Sequence, residues 1–132
     1  MNNRPDSEKI TINLGHVDLG QVDLLVREGF YGNRTDFIRT AIRNQLARHE
    51  KALEQAVTRQ KFHTGLLRLD AGDLTAAVND GRRLQLHVIG LLSIARDVEP
   101  ALIIAAISRV EVLGGIDASP QVRAALLSLV SG

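Results

Sequence analysis

The segment from Lys9 to Leu14 is the feature that most restricts the fold of this chain. Ile10, Ile12 and Leu14 alternate with polar residues, which is the pattern of a strand with one apolar face. Helical patterns follow, so the chain supplies no neighbouring strand nearby. A lone strand can neither satisfy its backbone groups nor bury its apolar face. The sequence therefore predicts that two chains pair this strand antiparallel, as a two-stranded ribbon.

Two amphipathic helices are predicted after the strand. Apolar residues recur at helical spacing over Val17–Glu28, and Gly29 is well placed to end that helix. Asn33 is a good N-cap for the second helix, and Asp36 puts a carboxylate near its N-terminus. No glycine or proline interrupts the pattern that follows, so this helix is predicted to extend to about Lys61.

Charge is distributed unevenly along the chain. From Arg27 to Lys61 there are eight lysines and arginines against four acids, whereas Thr64–Gly132 holds six basic and seven acidic residues. The cationic potential is therefore concentrated in the N-terminal half, although the net charge of the whole chain is only +1. The chain has no cysteine, which excludes disulfides and thiolate metal sites.

The outward side of the predicted ribbon has the chemistry to bind DNA. A two-stranded ribbon fits the major groove, and two copies of Lys9, Thr11 and Asn13 would face the base edges there. The second helix begins with free amides at Arg34 and Thr35, and such a helix end is a phosphate site. Phosphate contacts would position the ribbon, and the ribbon would read the sequence.

These motifs resemble the ribbon-helix-helix family of bacterial regulators, in particular its CopG-like branch. The resemblance covers residues 9–49 and rests on three pieces: KITINLG, VDLLVREGFYGNRTDFIR and TAIRNQL. It implies that Lys9, Thr11 and Asn13 contact bases. It also implies that the start of the second helix contacts phosphate, through Asn33, Arg34 and Thr35.

The predicted fold class is α+β, with an N-terminal ribbon-helix-helix unit that forms an intertwined dimer and a small α+β module behind it. The apolar residues that face inward along the strand and both helices would form the dimer core: Ile10, Ile12, Leu14, Leu25, Phe37, Ile38 and Ile42. The predicted divisions are a flexible arm, the DNA-binding domain, a helical extension or linker, and the C-terminal module, at residues 1–8, 9–49, 50–63 and 64–132.

The second half alternates strand and helix patterns. Strands are predicted at Leu66–Leu69, Leu84–Ile94 and Arg109–Leu113, and helices at Leu74–Val78, Ala101–Ile107 and Val122–Val130. Asp73, Asp97 and the pair Ser119-Pro120 mark the helix starts, and Gly114-Gly115 is predicted as a turn. A recurrence of apolar residues every six positions from Leu86 to Val122 leaves a hexapeptide β-helix as an alternative.

No enzymatic or cofactor motif is present. The chain lacks GxGxxG, P-loop and nucleophile-elbow patterns, and helix capping explains its scattered aspartates. A nickel-sensing regulator of the same fold uses several histidines and a cysteine in its C-terminal domain. Because residues 64–132 hold only His87 and no cysteine, we expect no metal site, no cofactor and no catalytic residue.

The predicted function is sequence-specific binding of double-stranded DNA by a homodimer, as a transcriptional repressor in the cytoplasm, at the bacterial nucleoid. No secretory signal is evident, and the apolar run Leu86–Ile94 is too short to span a bilayer, so no membrane partner is expected. A higher oligomer on DNA, and a protein or small-molecule partner at the C-terminal module, stay open. The alternatives are an antitoxin-like protein that neutralises a toxin, and a plasmid partition or relaxosome accessory factor.

Overall fold

In the computed structural model, which describes residues 7–130, the chain divides into an N-terminal unit, Lys9–Ala56, and a C-terminal unit formed by residues 7–8 and 57–130. The predicted arm, residues 1–8, lies outside the described residues except for Ser7 and Glu8. The helices and one sheet make the chain α+β, as predicted.

The N-terminal half is helical after residue 15. Its helices are α1 (His16–Arg27), α2 (Arg34–Arg48) and α3 (Glu50–Gln60). The turn after α1 contains Gly29 at φ +87°, a backbone conformation that glycine adopts without strain. The prediction of one helix reaching Lys61 was wrong. The helix breaks at His49, with φ −103° and ψ 12°, and the His49 amide donates to the carbonyl of Leu46 in a tighter turn.

The predicted strand has no regular secondary structure in the single chain. Residues 7–15 form neither helix nor strand, and Lys9–Leu14 is exposed throughout. The strand was predicted to pair with the same strand of another chain, and one chain alone provides no such ladder. The paired ribbon therefore stays a prediction.

The C-terminal unit alternates strands and helices. It contains β1 (His63–Leu69), α4 (Ala71–Asn79), β2 (Leu84–Ile94), α5 (Pro100–Ala106), β3 (Ile107–Asp117) and α6 (Pro120–Leu127). The strands form one parallel sheet in the order β1-β2-β3. The predicted strand Leu84–Ile94 is confirmed at both ends. The six-residue β-helix alternative was wrong, because a helix connects each strand to the next.

Local residues explain how the helices of this unit begin. The side chain of Ser119 accepts a hydrogen bond from the Val122 amide, and Pro120 occupies the first turn of α6, as predicted. The prediction of Asp73 as the cap of α4 was wrong, however. Asp70 is the N-cap and forms a capping box with Asp73, so α4 starts earlier than predicted.

The core of this unit lies between the three helices and one face of the sheet. Leu74 of α4, Ile103 of α5 and Leu126 of α6 are fully buried and cluster with strand residues such as Leu92 and Val110. Burying a side chain of this size contributes about 1.5–3 kcal/mol. The opposite face of the sheet carries none of this cluster.

A row of glycines crosses the sheet. Gly65, Gly90 and Gly114 are register partners, and their φ values are +120°, +135° and +128°. A Cβ on Gly90 would lie 2.2 Å from the Gly65 carbonyl oxygen, and one on Gly114 would lie 2.1 Å from the Gly90 oxygen. The prediction of a turn at Gly114-Gly115 was wrong, since both residues lie inside β3. These glycines recur every 24 or 25 residues.

Candidate nucleic-acid interface

The residues predicted to read bases lie together in one exposed segment. Lys9, Thr11 and Asn13 are all exposed, as the prediction requires. The intervening Ile10 and Ile12 are also exposed, at 71% and 56% of their surface. Two neighbouring apolar side chains this exposed are costly in water.

The start of α2 is capped as predicted. The Asn33 side chain accepts a hydrogen bond from the Asp36 amide at 2.7 Å, and Asp36 Oδ2 accepts one from the Gly32 amide at 2.8 Å. Within residues 7–130, no hydrogen-bond acceptor is found for the amides of Arg34 and Thr35. Two free donors at the positive end of a helix can bind a phosphate oxygen.

Asp23 holds the charged group of Arg34. The Arg34 guanidinium donates two hydrogen bonds to Asp23, from Nε to Oδ1 at 2.7 Å and from a terminal nitrogen to Oδ2 at 2.8 Å. These hydrogen bonds lower the pKa of Asp23, with a further contribution from the charge of Arg34, and they raise the pKa of Arg34. A phosphate that binds Arg34 must therefore compete with a carboxylate.

Asp23, which joins α1 to the start of α2, is not among the site residues predicted from the sequence. Its pairing with Arg34 bridges eleven positions across the turn between the two helices. The only sign in the sequence is that Asp23 lies between apolar residues of α1 but off the stripe that contains Val22 and Val26. That position shows that Asp23 faces away from the helix packing, but it does not identify a partner.

The predicted dimer-core residues outside the strand lie on α1 and α2. Leu25, Phe37 and Ile38 are partly buried, and Ile42 is 47% exposed. The ring of Phe37 packs edge-on against Tyr31, with 5.0 Å between the ring centroids. Val22 is the only buried apolar residue of the N-terminal unit. The apolar faces of this unit thus meet too little of their own chain to form a core.

Charge on α2 is mainly positive. The helix carries four arginines, Arg34, Arg39, Arg43 and Arg48, and a single acid, Asp36. All four arginines are exposed. Exposed cations on one helix attract the DNA backbone irrespective of its sequence, with an affinity that falls as salt rises.

Within residues 7–130, no three histidine, cysteine, aspartate or glutamate side chains come together in a group that could hold a metal ion. None of the helices described there has the length and apolar character needed to cross a bilayer.

Residues 5–123 match the model of the Ribbon-Helix-Helix transcriptional regulator family. The matched range includes the exposed segment, the three N-terminal helices and nearly all of the C-terminal unit. Neither the comparison with curated proteins nor that with solved structures gives a significant match.

Proposed function

Because the chain belongs to the ribbon-helix-helix transcriptional regulator family, whose members bind DNA, we propose that two copies pair their Lys9–Leu14 segments as a ribbon that reads the major groove of an operator. The main observation in support of this proposal is that apolar and polar side chains alternate along that segment and that the apolar ones are exposed. Ile10, Ile12 and Leu14 are 71%, 56% and 43% exposed in one chain. Pairing across a two-fold axis would turn these residues inward and leave Lys9 and its polar neighbours on the DNA side.

The two sets of DNA contacts have separate roles. Lys9, Thr11 and Asn13 carry hydrogen-bonding groups suited to base edges, so they determine which sequence is bound. The capped helix end with Asn33, Arg34 and Thr35 holds the backbone and sets the register of the ribbon. Asn33 acts through its cap of α2, because its side-chain oxygen already accepts from the Asp36 amide.

The regulator acts as a repressor in this proposal. A homodimer seated in the major groove blocks access to the operator, and nothing beyond binding is required for that effect. The proposed divisions are an arm at residues 1–8, the DNA-binding domain at 9–49, a helical connection at 50–63 and a C-terminal module at 64–132. The module joins subunits or receives a partner and has little basic excess with which to hold DNA.

The antitoxin alternative has less support. Toxin-binding tails that order only on binding lack a core of their own. Residues 57–130 instead contain a buried cluster that spans three helices and a sheet. A partition or relaxosome factor would use the same DNA contacts as a repressor, and the neighbouring genes would distinguish the two.

The proposal is tested by measuring affinity for the operator and for unrelated DNA over a range of salt concentrations. The operator is first identified by genome-wide capture of bound DNA and footprinting. Lys9→Ala, Thr11→Ala and Asn13→Ala should each weaken operator binding by about 1–3 kcal/mol, roughly 5- to 150-fold, with little change on unrelated DNA. Arg34→Ala should weaken both DNAs alike and reduce the salt slope by about one phosphate contact.

Thr58→Ala on α3 is the matched control for Thr11→Ala, since it makes the same chemical change at an exposed position outside the ribbon. It should leave both affinities unchanged. Strand variants that keep wild-type affinity and specificity would show that base reading lies elsewhere in the chain.

A further inference from the structure

One face of the C-terminal sheet is uncovered in the single chain. The helices pack on the other face, where the core lies. On the uncovered face Leu66 and Leu113 are 62% and 53% exposed, and Ile89 and Leu91 between them are partly exposed. Parallel sheets are almost always covered on both faces. Four neighbouring apolar side chains on this face therefore indicate that a further layer packs here.

The register of the strands orders charge across this face. Arg68 on β1, Ser93 on β2 and Asp117 on β3 are partners in the ladder. Arg68 donates a hydrogen bond to Ser93 Oγ at 3.2 Å, and Ser93 Oγ donates one to Asp117 Oδ2 at 3.1 Å. The row has the guanidinium of Arg68 on one outer strand and the carboxylate of Asp117 on the other, where Asp117 Oδ1 also accepts a hydrogen bond from Arg96 of the same chain at 3.0 Å. A half-turn about an axis along β2 would exchange the two ends.

Side-chain size is ordered in the same way. In the adjacent row, Leu66 on β1, Leu91 on β2 and Gly115 on β3 are register partners. A Cβ on Gly115 would be in ordinary contact with Leu91 Cδ1, at 3.5 Å, so both lie on this face. The row thus has a large side chain on β1 and no side chain on β3. A half-turn about an axis along β2 would place Leu66 of one copy over Gly115 of the other.

We propose that this face packs against the same face of a second copy, about a two-fold axis parallel to the strands. Each β1 then lies over β3 of the other copy, and β2 lies over β2. Arg68 of each copy faces Asp117 of the other, Leu66 fills the space above Gly115, and the two Leu91 side chains meet at the axis. Two sheets packed this way keep their strand directions aligned within about 30°.

Charge also selects the direction of the axis. A two-fold axis running across the strands would place β3 over β3 with its direction reversed. Gly90 lies midway between the row of His87 and Glu111 and the row of Ser93 and Asp117. If that axis passes at the row of Gly90, it brings Glu111 of one copy to Asp117 of the other. Two like charges that face each other are destabilising.

The area of this contact determines whether it can hold two chains together by itself. Three strands paired over seven residues present roughly 300 Å² per copy, given the usual spacing of strands and residues. A standard stable interface buries about 800 Å² per partner. The contact is therefore weak alone and forms between chains already held together by the N-terminal dimer, so it rests on the dimer of the proposed function.

A second occupant is available within the chain itself. Ser7 and Glu8 line a depression of about 680 Å³ together with Leu66, Leu91 and Gly115. Both residues are themselves exposed. The N-terminal residues are the competing occupant of this face, and the experiment must distinguish them from a second copy.

The absence of native cysteine allows a direct test on the full-length protein. Leu91→Cys places one thiol per chain close to the axis. A short thiol-specific cross-linker should join two chains at this position in high yield. Ala105→Cys, on the exposed side of α5, should give only background linkage. Equal yields from the two variants would overturn the proposal, and so would linkage at residue 91 that appears only after residues 1–8 are removed.

Charge reversal tests the geometry. In the Leu91→Cys background, Arg68→Glu alone and Asp117→Arg alone should each reduce linkage several-fold. When the two variants are co-expressed with different tags, mixed pairs should exceed the half expected from random pairing, because both contacts are again between opposite charges. A purely intrachain role cannot give this result, since each chain keeps its own substitution.

If mixed pairs form only at the share expected from random pairing, the two-fold arrangement is wrong. Linkage of Leu91→Cys with native charges still shows whether this face packs against a second copy, even if a charge-reversed variant folds poorly. Single-site affinity for DNA should stay at the wild-type level in these variants. Loss of linkage with DNA binding retained rejects this inference alone, whereas failure of the unsubstituted protein to bind DNA rejects the proposed function.

Discussion

The two units of the chain bury their apolar residues to very different extents. In Lys9–Ala56 Val22 is the only buried apolar residue, and nine large apolar side chains are exposed. In the C-terminal unit eleven buried residues form one cluster. Since apolar burial is the main favourable term in folding, the C-terminal unit contains most of its own stabilisation, whereas the N-terminal unit gains little from burial within its own chain. The proposed dimer would supply that burial from a second chain.

The difference also explains where backbone geometry is restricted. In the C-terminal unit neighbouring strands approach so closely that Gly90 has no room for a side chain. In the N-terminal unit nothing lies within 4 Å of a Cβ built on Gly15, Gly20 or Gly29. A glycine substitution in the sheet therefore tests the packing of the C-terminal unit without affecting the packing of the N-terminal unit.

The largest effect is expected from Gly90→Ala in the centre of the sheet. The new Cβ would lie 2.2 Å from the Gly65 carbonyl oxygen, and Gly90 has φ +135°, a conformation that other residues avoid. We expect a loss of more than about 4 kcal/mol, enough to unfold the C-terminal unit. Chemical denaturation of the full-length protein measures this loss.

Gly65→Ala is the control for that clash. Gly65 has a similar φ, +120°, but nothing lies within 4 Å of a Cβ at that position. It should cost only the strain of the backbone, about 1–3 kcal/mol. Equal losses from the two variants would mean that strain alone, and not the approach of the neighbouring strand, makes glycine necessary.

The next effect separates the N-terminal unit from a free-standing domain. Ile12→Ala should cost about 2–5 kcal/mol per chain if Ile12 is buried between two chains, and the cost should appear in a transition that depends on protein concentration. Val17→Ala is the control, because Val17 is also exposed in the single chain, at 73%, but lies outside the predicted dimer core. Denaturation at two protein concentrations measures both. If Ile12→Ala is as harmless as Val17→Ala, the ribbon does not exist.

The parts of the fold that were predicted correctly depend on residues close together in sequence. Asn33 caps α2 through a hydrogen bond to the amide three positions later, and Ser119 caps α6 in the same way. The strand Leu84–Ile94 is bounded by its own apolar pattern. Such features can be read from a short window because both partners lie within it.

The features that sequence missed depend on residues far apart. Gly114 was taken for a turn residue, since positive φ is usually found in turns, but its conformation serves the approach of Gly90 across the sheet. The pairing of Arg34 with Asp23 joins two helices, and only their packing brings these side chains together. A search for a 24- to 25-residue repeat would have found the glycine row, because Gly65, Gly90 and Gly114 recur at that spacing.

The smallest expected effect concerns the carboxylate that competes for Arg34. Asp23→Asn removes the negative charge and should free the guanidinium for phosphate, so DNA affinity should rise about two- to tenfold at low salt, equally for all sequences. Asp18→Asn removes the same charge from α1 at an exposed position and should raise affinity less. In an Arg34→Ala background the two substitutions should become equivalent, as in a double-mutant cycle. A gain from Asp23→Asn that persists in that background would mean that Asp23 does not act through Arg34.

The ion pair between Asp23 and Arg34 makes a contribution to folding stability that decreases as the pH falls into the acid range. The hydrogen bonds from Arg34 lower the pKa of Asp23 below its ordinary value of 3.8 in the folded chain. A group whose pKa is lower when folded stabilises the fold above its unfolded pKa and loses that contribution as the pH falls through the folded value. The difference in stability between wild type and Asp23→Asn should therefore be constant from about pH 7 to pH 5 and shrink below about pH 4. Both side chains are about half exposed, so solvent keeps this difference small. A carboxyl titration of Asp23 by NMR that gives an unshifted midpoint would show that the pair does not persist in solution, and Arg34 would then be free to bind phosphate without competition.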